Sequence, residues 1–441
     1  NKEGQMIKRE KIELVKRKGI FAGIDIAESR HCIRFIDNLG QEKANPLVFL
    51  NNREGLEKLE RYLKGVVKVE CNVLFGVEPS GDYWKPLAHY LRMKGYEVVL
   101  VNPYHLKRTK EIIDNTQDKT DKKDSYLIAD LIRQGKYFFP IIPEGVYAEL
   151  REASIAWERT TKELRIKRCY LSNFLAKYFP EYRDIFSDIL GKTSFYILKH
   201  FPLPKDITRI GLKRLFHLIK KVSRGRISDK KIYLLYERAK GSIGLKGGGQ
   251  TAKIFLKEIL LDIERLKTRR KRLKEIMEGL LLLTGYKEYL LSIPGVGIVS
   301  ACLFLGEIGN PCNYGRSCQI EKLAGLNLVE NSSGKRKGEK KISKRGRNIL
   351  RYVGYLVAQV AVSKNPDIRA LYRFKLQRSD KEKMKVLTSI AAKMLRIMFI
   401  VCKKKVFYNP EEIRRYFNRD KTAGVRSGDL HNAPYIGDNV Y

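Results

Sequence analysis

Between Gly19 and Gln134 the apolar residues change period several times, and the order of those changes restricts the fold more than any other feature of the chain. GIFAGIDIA and CIRFIDN are apolar or alternating runs separated by the polar AESRH, the pattern of a hairpin, and PLVFL adds a third short strand. NNREGLEKLERYLKGV then repeats at helical spacing, with Leu56, Leu59 and Leu63 on one face and Asn51 or Asn52 as the N-cap. NVLFGVE reads as a buried strand, YWKPLAHYLRMKG as a helix ended by Gly95, and YEVVLVN as another strand, with more helix beyond. The order is β-β-β-α-β-α-β.

This is the order of an α/β ribonuclease H-like domain, three antiparallel strands and then alternating helix and strand. It makes four acidic residues informative. Asp25 interrupts the apolar Ile24-Asp25-Ile26, where an ionised carboxylate is expensive unless paired or bound to a metal. Glu78 ends the apolar run Val73 to Val77 in the same way, and KTDKKDSYLIADLI sets Asp121 and Asp124 three apart on one face at the start of a helix. Taken singly, the last two could favour a helix dipole, Asp25 could belong to a strand-end turn, and Glu78 could pair with a lysine. Together they are the donor set that two hard cations about 4 Å apart need for phosphodiester chemistry.

From Tyr147 to Gly285 the chain turns helical and basic, as in RTTKELRIKR and DIERLKTRRKRLKE, which suggests two long antiparallel, coiled-coil-like helices. An irregular helical insertion (178–238) lies between them, closed by GSIGLKGGGQ as a flexible joint. A compact, mostly α unit follows, with helical patterns at Val299 to Leu305, Leu350 to Val362 and Ser389 to Cys402. The expected segments are a basic arm (1–17), the α/β domain (18–146), the helical region with its insertion (147–285), the C-terminal unit (286–409) and a polar tail (410–441).

The charge points to the partner. Lys and Arg number 88 against 49 Asp and Glu, a net charge of +39, while 43% hydrophobic residues exclude wholesale disorder. Folded surfaces this basic usually meet a polyanion, nucleic acid first and an anionic membrane second. The longest uncharged run, Leu290 to Gly306, is short for a span and contains Pro294, Gly295 and Gly297; with a charged start and no secretory signal, a cytoplasmic protein without membrane contact is expected. Seven cysteines without a CxxC pair read as reduced thiols.

SIPGVG, with Gly295 and Gly297, is either an ordinary interhelical turn or a helix-hairpin-helix-like turn whose amides hold a phosphate. NSSGKRKGEKKISKRGR adds a basic run, Lys335, Arg336, Lys337, Lys340, Lys341, Lys344, Arg345 and Arg347 against the single acid Glu339. A solvated loop is the plain account, yet Ser332 and Ser333 at its mouth are hydroxyls beside cations that hold and polarise a phosphate. No histidine lies nearby to act as base, which argues against a Ser-His-Asp hydrolase.

On these residues the chain resembles the DEDD-type insertion-sequence transposases of the IS-one-ten group. The resemblance runs through GIDIA, GVEPSGDYW, VNP with KTDKKD, SIPGVG, the LAGL before NSSG, and ISKRG with Ser343, Lys344 and Gly346. It implies a RuvC-like domain with Asp25, Glu78, Asp121 and Asp124 on Mg²⁺ (Mn²⁺ substituting), and a C-terminal serine domain whose nucleophile is Ser333, with Ser332 as fallback. It implies a transient phosphoserine link to DNA, a structured bridge RNA that pairs with donor and target DNA, and dimers or tetramers assembled on the long helices. Three rivals remain: a plain RuvC-like metal nuclease in which Ser333 is a loop residue; an actin-like ATPase, which also opens GIDIA but needs glycine-rich phosphate loops not found here; and a structural nucleic-acid-binding protein with a dead site.

Overall fold

A computed structural model of the chain describes residues 2–66, 72–79, 81–114, 121–140, 142–330, 338, 340–377 and 382–411, with side chains excepted over 2–9 and 111–122. It divides into two compact units, the first ending at Ile142 and the second beginning at Pro143.

The first unit opens with helix α1 (Lys2–Arg17) and continues β1 (Ile20–Ile26), β2 (Arg30–Asp37), β3 (Leu47–Leu50), α2 (Arg53–Val66), β4 (Val73–Val77), α3 (Trp84–Met93), β5 (Glu97–Leu100), α4 (Pro103–Asp114) and α5 (Asp121–Arg133). The expected order of strands and helices is present. The sheet order is β3-β2-β1-β4-β5, with β1 antiparallel to β2 and β2 to β3, while β1, β4 and β5 run parallel. This is the ribonuclease H-like mixed sheet. Side chains alternate across it. Ala22, Ile24, Ile33, Phe35, Phe75 and Val77 pack with Leu59, Leu63 and Leu87 of α2 and α3 on one face. Phe21, Ile36, Leu74 and Val99 pack with Leu127, Ile128 and Ile132 of α5 on the other. Asn52 caps α2, its side chain accepting from the Gly55 amide at 2.9 Å. The stretch read as a basic arm is instead a helix whose Leu14 is buried in the α5-side core, because one apolar stripe is enough to dock it.

The second unit has two long helices, α6 (Val146–Tyr178) and α12 (Gly249–Leu283), with α7 (Tyr182–Ile185), α8 (Lys192–His200), α9 (Pro204–Ile210), α10 (Leu212–Ser223) and α11 (Asp229–Lys240) inserted between them. Arg270 stacks on Trp157 and Lys167 pairs with Asp262, so the sequence runs in opposite senses along the pair, which is antiparallel. The insertion does not hang free: Tyr182, Ile197, Ile207, Leu215 and Leu235 share a core with Leu171 and Leu175 of α6 and Leu256, Leu260 and Ile263 of α12. Nor is the glycine run a loose joint. Gly248 (φ 70°) is the N-cap of α12, Gly249 opens the helix, and the Leu245 amide is tied to the Lys177 carbonyl. A Cβ on Gly244 would lie 2.1 Å from the Tyr178 carbonyl oxygen, so glycine serves close approach there rather than freedom.

The unit continues with α13 (Lys287–Leu291), α14 (Ile298–Ile308), α15 (Ser317–Leu323), a hairpin of β6 (Leu328–Val329) and β7 (Lys341–Ile342), α16 (Asn348–Lys364), α17 (Pro366–Gln377) and α18 (Lys383–Lys404). Its core is helical, centred on α14, α16 and α18 through residues such as Phe304, Val357 and Phe399. Among the described residues no helix is long and apolar enough to cross a membrane.

Candidate functional site

The register of the sheet brings the first two carboxylates together. β1 and β4 are parallel neighbours with Ile24 opposite Val77, so the residues that follow, Asp25 and Glu78, stand side by side at the carboxyl ends of the central strands. Alternation puts Asp25 in phase with Phe21 and Gly23, and Glu78 in phase with Leu74 and Gly76, on the face covered by α5. Carboxyl ends of adjacent parallel strands are where open α/β sheets gather ligands.

Two strand glycines let α5 lie directly on this face. A Cβ on Gly23 would sit 2.0 Å from the Ser125 carbonyl oxygen and 2.4 Å from the Ala129 amide, and one on Gly76 would sit 2.7 Å from Ile132. The Ser125 hydroxyl also meets the thiol of Cys32, the cross-strand partner of Asp25, at 3.7 Å. The first turn of α5 therefore arrives at the end of β1 that carries Asp25. Gly23→Ala should overpack this contact and destabilise the protein by about 1–3 kcal/mol. Urea unfolding checks it, and an unchanged midpoint would mean that α5 does not press on β1.

Asp124 sits in that turn and is 6% exposed. One carboxylate oxygen pairs with the Lys110 ammonium of α4 at 2.5 Å; the other, Oδ1, is buried with no hydrogen-bond partner among the described residues. An unfilled buried acceptor costs about 1–3 kcal/mol, and a hard cation is one group that fills it. Three carboxylates with hard oxygen donors at the same end of the sheet fit Mg²⁺ or Mn²⁺ in kind. Asp121 is the first residue of α5, and its side chain lies outside the described residues. Among the described residues no three His, Cys, Asp or Glu side chains stand as a ligand group. Asp124 is instead engaged with Lys110, which gives that carboxylate an opposite charge. No histidine joins this end from the sheet, since His31 lies in phase with Ile33 and Phe35 on the other face, edge-on to Phe49, where burial lowers its pKa.

Sequence reasoning missed three contributors. Lys110 gives no signal, being one cation among many. Gly23 and Gly76 did carry one, because glycine inside an apolar strand marks a close approach of backbone.

In the second unit Ser332, Ser333, Gly334, Lys335, Arg336, Lys337 and Glu339 lie outside the described residues. The hairpin that leads into and out of this segment is described, with Leu328 opposite Ile342 and Val329 opposite Lys341. Its base joins two motifs that lie some twenty residues apart in sequence. Gly325 of LAGL (φ 67°) and Gly346 of ISKRG lie back to back: a Cβ on Gly346 would be 2.5 Å from the Gly325 amide and from the Leu323 carbonyl oxygen. The Ser343 amide donates to the Asn327 carbonyl at 2.9 Å, and the Ser343 hydroxyl to Asn327 Oδ1 at 2.8 Å. Lys344 takes the left-handed conformation (φ 54°), its amide donating to the Gly325 carbonyl.

The candidate phosphate contacts divide. Lys344 and Arg345 are exposed at the hairpin base. Arg347 turns inward, donating to the Glu307 carbonyl at the end of α14 and standing 3.9 Å from the Glu307 carboxylate, which is 1% exposed and also pairs with Arg151. Burial, and then the charge of Arg151, lower the Arg347 pKa, and Glu307 opposes them. Arg347 thus anchors the hairpin base to α14. Gly295 (φ 104°) meets the backbone of α16, where a Cβ would be 2.9 Å from the Ala361 amide, and the Gly297 amide already donates to Ser300 Oγ at 2.9 Å. Close packing accounts for Gly295, whereas a Cβ on Gly297 would meet nothing within 4 Å.

Comparison with known proteins adds to this geometry. A family model described as a transposase, of the DEDD and IS110 type, matches residues 22–180, and one described as a transposase of the IS116/IS110/IS902 family matches residues 287–373. The chain is 23% identical over 401 residues to an uncharacterized 44.8 kDa protein of insertion element IS116 from Streptomyces clavuligerus, covering 89% of this chain and 96% of that one. It is 21% identical over 401 residues to the 43.6 kDa protein of insertion element IS110 from Streptomyces coelicolor, covering 88% and 95%. A pilin gene-inverting protein of Moraxella bovis is 28% identical over 109 residues, 25% of this chain and 33% of that protein.

Proposed function

This chain belongs to the IS110/IS116 family of insertion-sequence transposases, enzymes that act on DNA, and from that premise we propose that it cuts and rejoins donor and target DNA under RNA guidance through a serine-linked intermediate. The observation that supports the metal-assisted part of the proposal is the placement of Asp25 and Glu78 side by side under the first turn of α5, where Asp124 holds an unfilled buried oxygen. Asp25, Glu78, Asp121 and Asp124 would hold a divalent cation, which would supply Lewis acidity toward a phosphate oxygen.

Everything else is work for the chain's own side chains. Lys335, Arg336 and Lys337, with Lys344 and Arg345 at the hairpin base, neutralise the DNA phosphates around the serine segment. The Ser333 hydroxyl attacks phosphorus: its Oγ–P bond forms, one P–O ester bond of the strand breaks, and the released deoxyribose hydroxyl keeps the proton that Ser333 gives up. A hydroxyl from a second strand reverses the step, restoring Ser333 and a continuous backbone. The Moraxella relative, whose name describes inversion of a pilin gene, supports cutting coupled to rejoining rather than cutting alone. In this reading the serine hairpin of one protomer serves the carboxylates of another, with α6 and α12 as the assembly surface, and a structured RNA encoded beside the gene selects both DNA partners by base pairing. The net charge of +39 then has DNA and RNA to hold.

The test is strand exchange with purified chain, donor and target DNA, Mg²⁺ and that RNA. Joined product is expected only when the RNA is present and its guide segments match both DNAs. Product that forms equally well without RNA would overturn the guided reading.

A further inference from the structure

The insertion between α6 and α12 holds a cavity of about 380 Å³ between the start of α8 and the turn joining α10 to α11. Lys192 and Thr193 line it from α8, Arg224, Arg226 and Lys231 from the turn and α11, and Phe186 closes one side. The surrounding stretch is strongly basic, with fifteen Lys and Arg against six Asp and Glu from residue 178 to 240.

What distinguishes this cavity is that its cations are left over. Neighbouring ones are matched: Lys199 with Glu264, Lys220 with Asp229, Lys253 with Asp206 and Arg238 with Asp184. Lys192, Arg224, Arg226 and Lys231 make no ion pair or side-chain hydrogen bond with any described residue. The acid on the rim, Asp188, turns its Oδ1 to the Leu190 amide at 3.1 Å. Four like charges around one concavity repel one another, and an anion between them relieves that repulsion. The volume exceeds what a lone phosphate needs and reaches the range of small-ligand sites. Phe186 adds a ring on which a base can stack, an interaction open only to bases out of a duplex.

We propose that this cavity takes one unpaired nucleotide of a bound strand, its phosphate among Lys192, Arg224, Arg226 and Lys231 and its base against Phe186. This gives the insertion a strand-holding task remote in sequence from the carboxylates and the serine segment, and it rests on the proposed function only in requiring that the chain bind nucleic acid.

The experiment uses the full chain with labelled RNA and DNA single strands and a DNA duplex, each of about 20 nucleotides or base pairs. In the variant Lys192→Ala/Arg226→Ala/Lys231→Ala, three exposed side chains are shortened, and an unchanged thermal melt checks the fold. Single-strand affinity should fall about tenfold or more, with the slope of log K against log salt reduced by about one, while duplex affinity holds within about twofold. The RNA and DNA arms show which strand is preferred. In the wild-type chain a bound single strand should also shield Lys192 and Lys231 from amine acylation read by mass spectrometry. Equal losses on single strand and duplex, or lysines that stay reactive with strand bound, would overturn this site alone. A wild-type chain that bound neither substrate would overturn the proposed function with it.

Discussion

Ser333→Ala is expected to keep RNA and DNA binding and to lose strand cleavage by roughly 10⁴- to 10⁶-fold, the scale on which enzymes lose activity when a nucleophile is removed. The substitution deletes one hydroxyl from the segment between β6 and β7, whose base is held by Asn327, Gly325 and Arg347 independently of that hydroxyl. Fold and phosphate contacts therefore stay while the attacking atom is gone. Ser332→Ala should cost much less. The measurement is to mix protein, RNA, Mg²⁺ and labelled DNA, denature, and locate any DNA on protein by peptide mass. DNA attached at Ser333 is the expected result; attachment at Ser332 would move the nucleophile by one residue. In a plain metal nuclease water attacks instead, so vigorous cutting by the Ser333→Ala protein without any adduct would refute the serine mechanism and favour that rival.

The second large effect concerns the carboxylates. Asp25→Asn, Glu78→Gln, Asp121→Asn and Asp124→Asn should each lower strand exchange about 10³-fold or more, since each removes part of a metal's hold and with it several kcal/mol of charge stabilisation. Metal binding gives a readout apart from activity. A cation bound only by the folded chain stabilises it by about 2.7 kcal/mol at a hundred times its dissociation constant, so Mn²⁺ should raise the wild-type melting temperature and leave the variants unmoved. Asp124→Asn carries a second effect: it strips Lys110 of its partner charge, so it should lower stability in metal-free buffer. Two variants that exchanged strands at the wild-type rate would remove these residues from the site.

Much of this was legible because local pattern and tertiary role coincide. The apolar runs of the first unit can bury only as strands, and the order of strands and helices leaves few topologies, so the sheet followed. Asp25 and Glu78 stood out because a carboxylate in an apolar run costs too much to keep without a task. The long basic helices followed from charge and length. The N-terminal helix did not, because its docking residues Leu14 and Val15 are hidden among charges. The hairpin β6–β7 escaped too, since its two-residue strands are shorter than any period can register.

The sequence by itself determined which residue types are available: an α/β order with four out-of-place carboxylates, a serine pair beside cations, and a charge that calls for polyanions. Only the tertiary structure decided which of them meet. The parallel register of β1 with β4 sets Asp25 beside Glu78, and Gly23 admits α5, because hydrogen-bond pairing and steric exclusion act between segments fifty to a hundred residues apart. The same applies to charge. One run of cations contained Arg347, which is turned inward to Glu307, and Lys344, which is exposed; the insertion's Lys192, Arg224, Arg226 and Lys231 were indistinguishable from their paired neighbours. A sequence counts charges, but whether a charge is neutralised depends on what the fold places within about 4 Å of it.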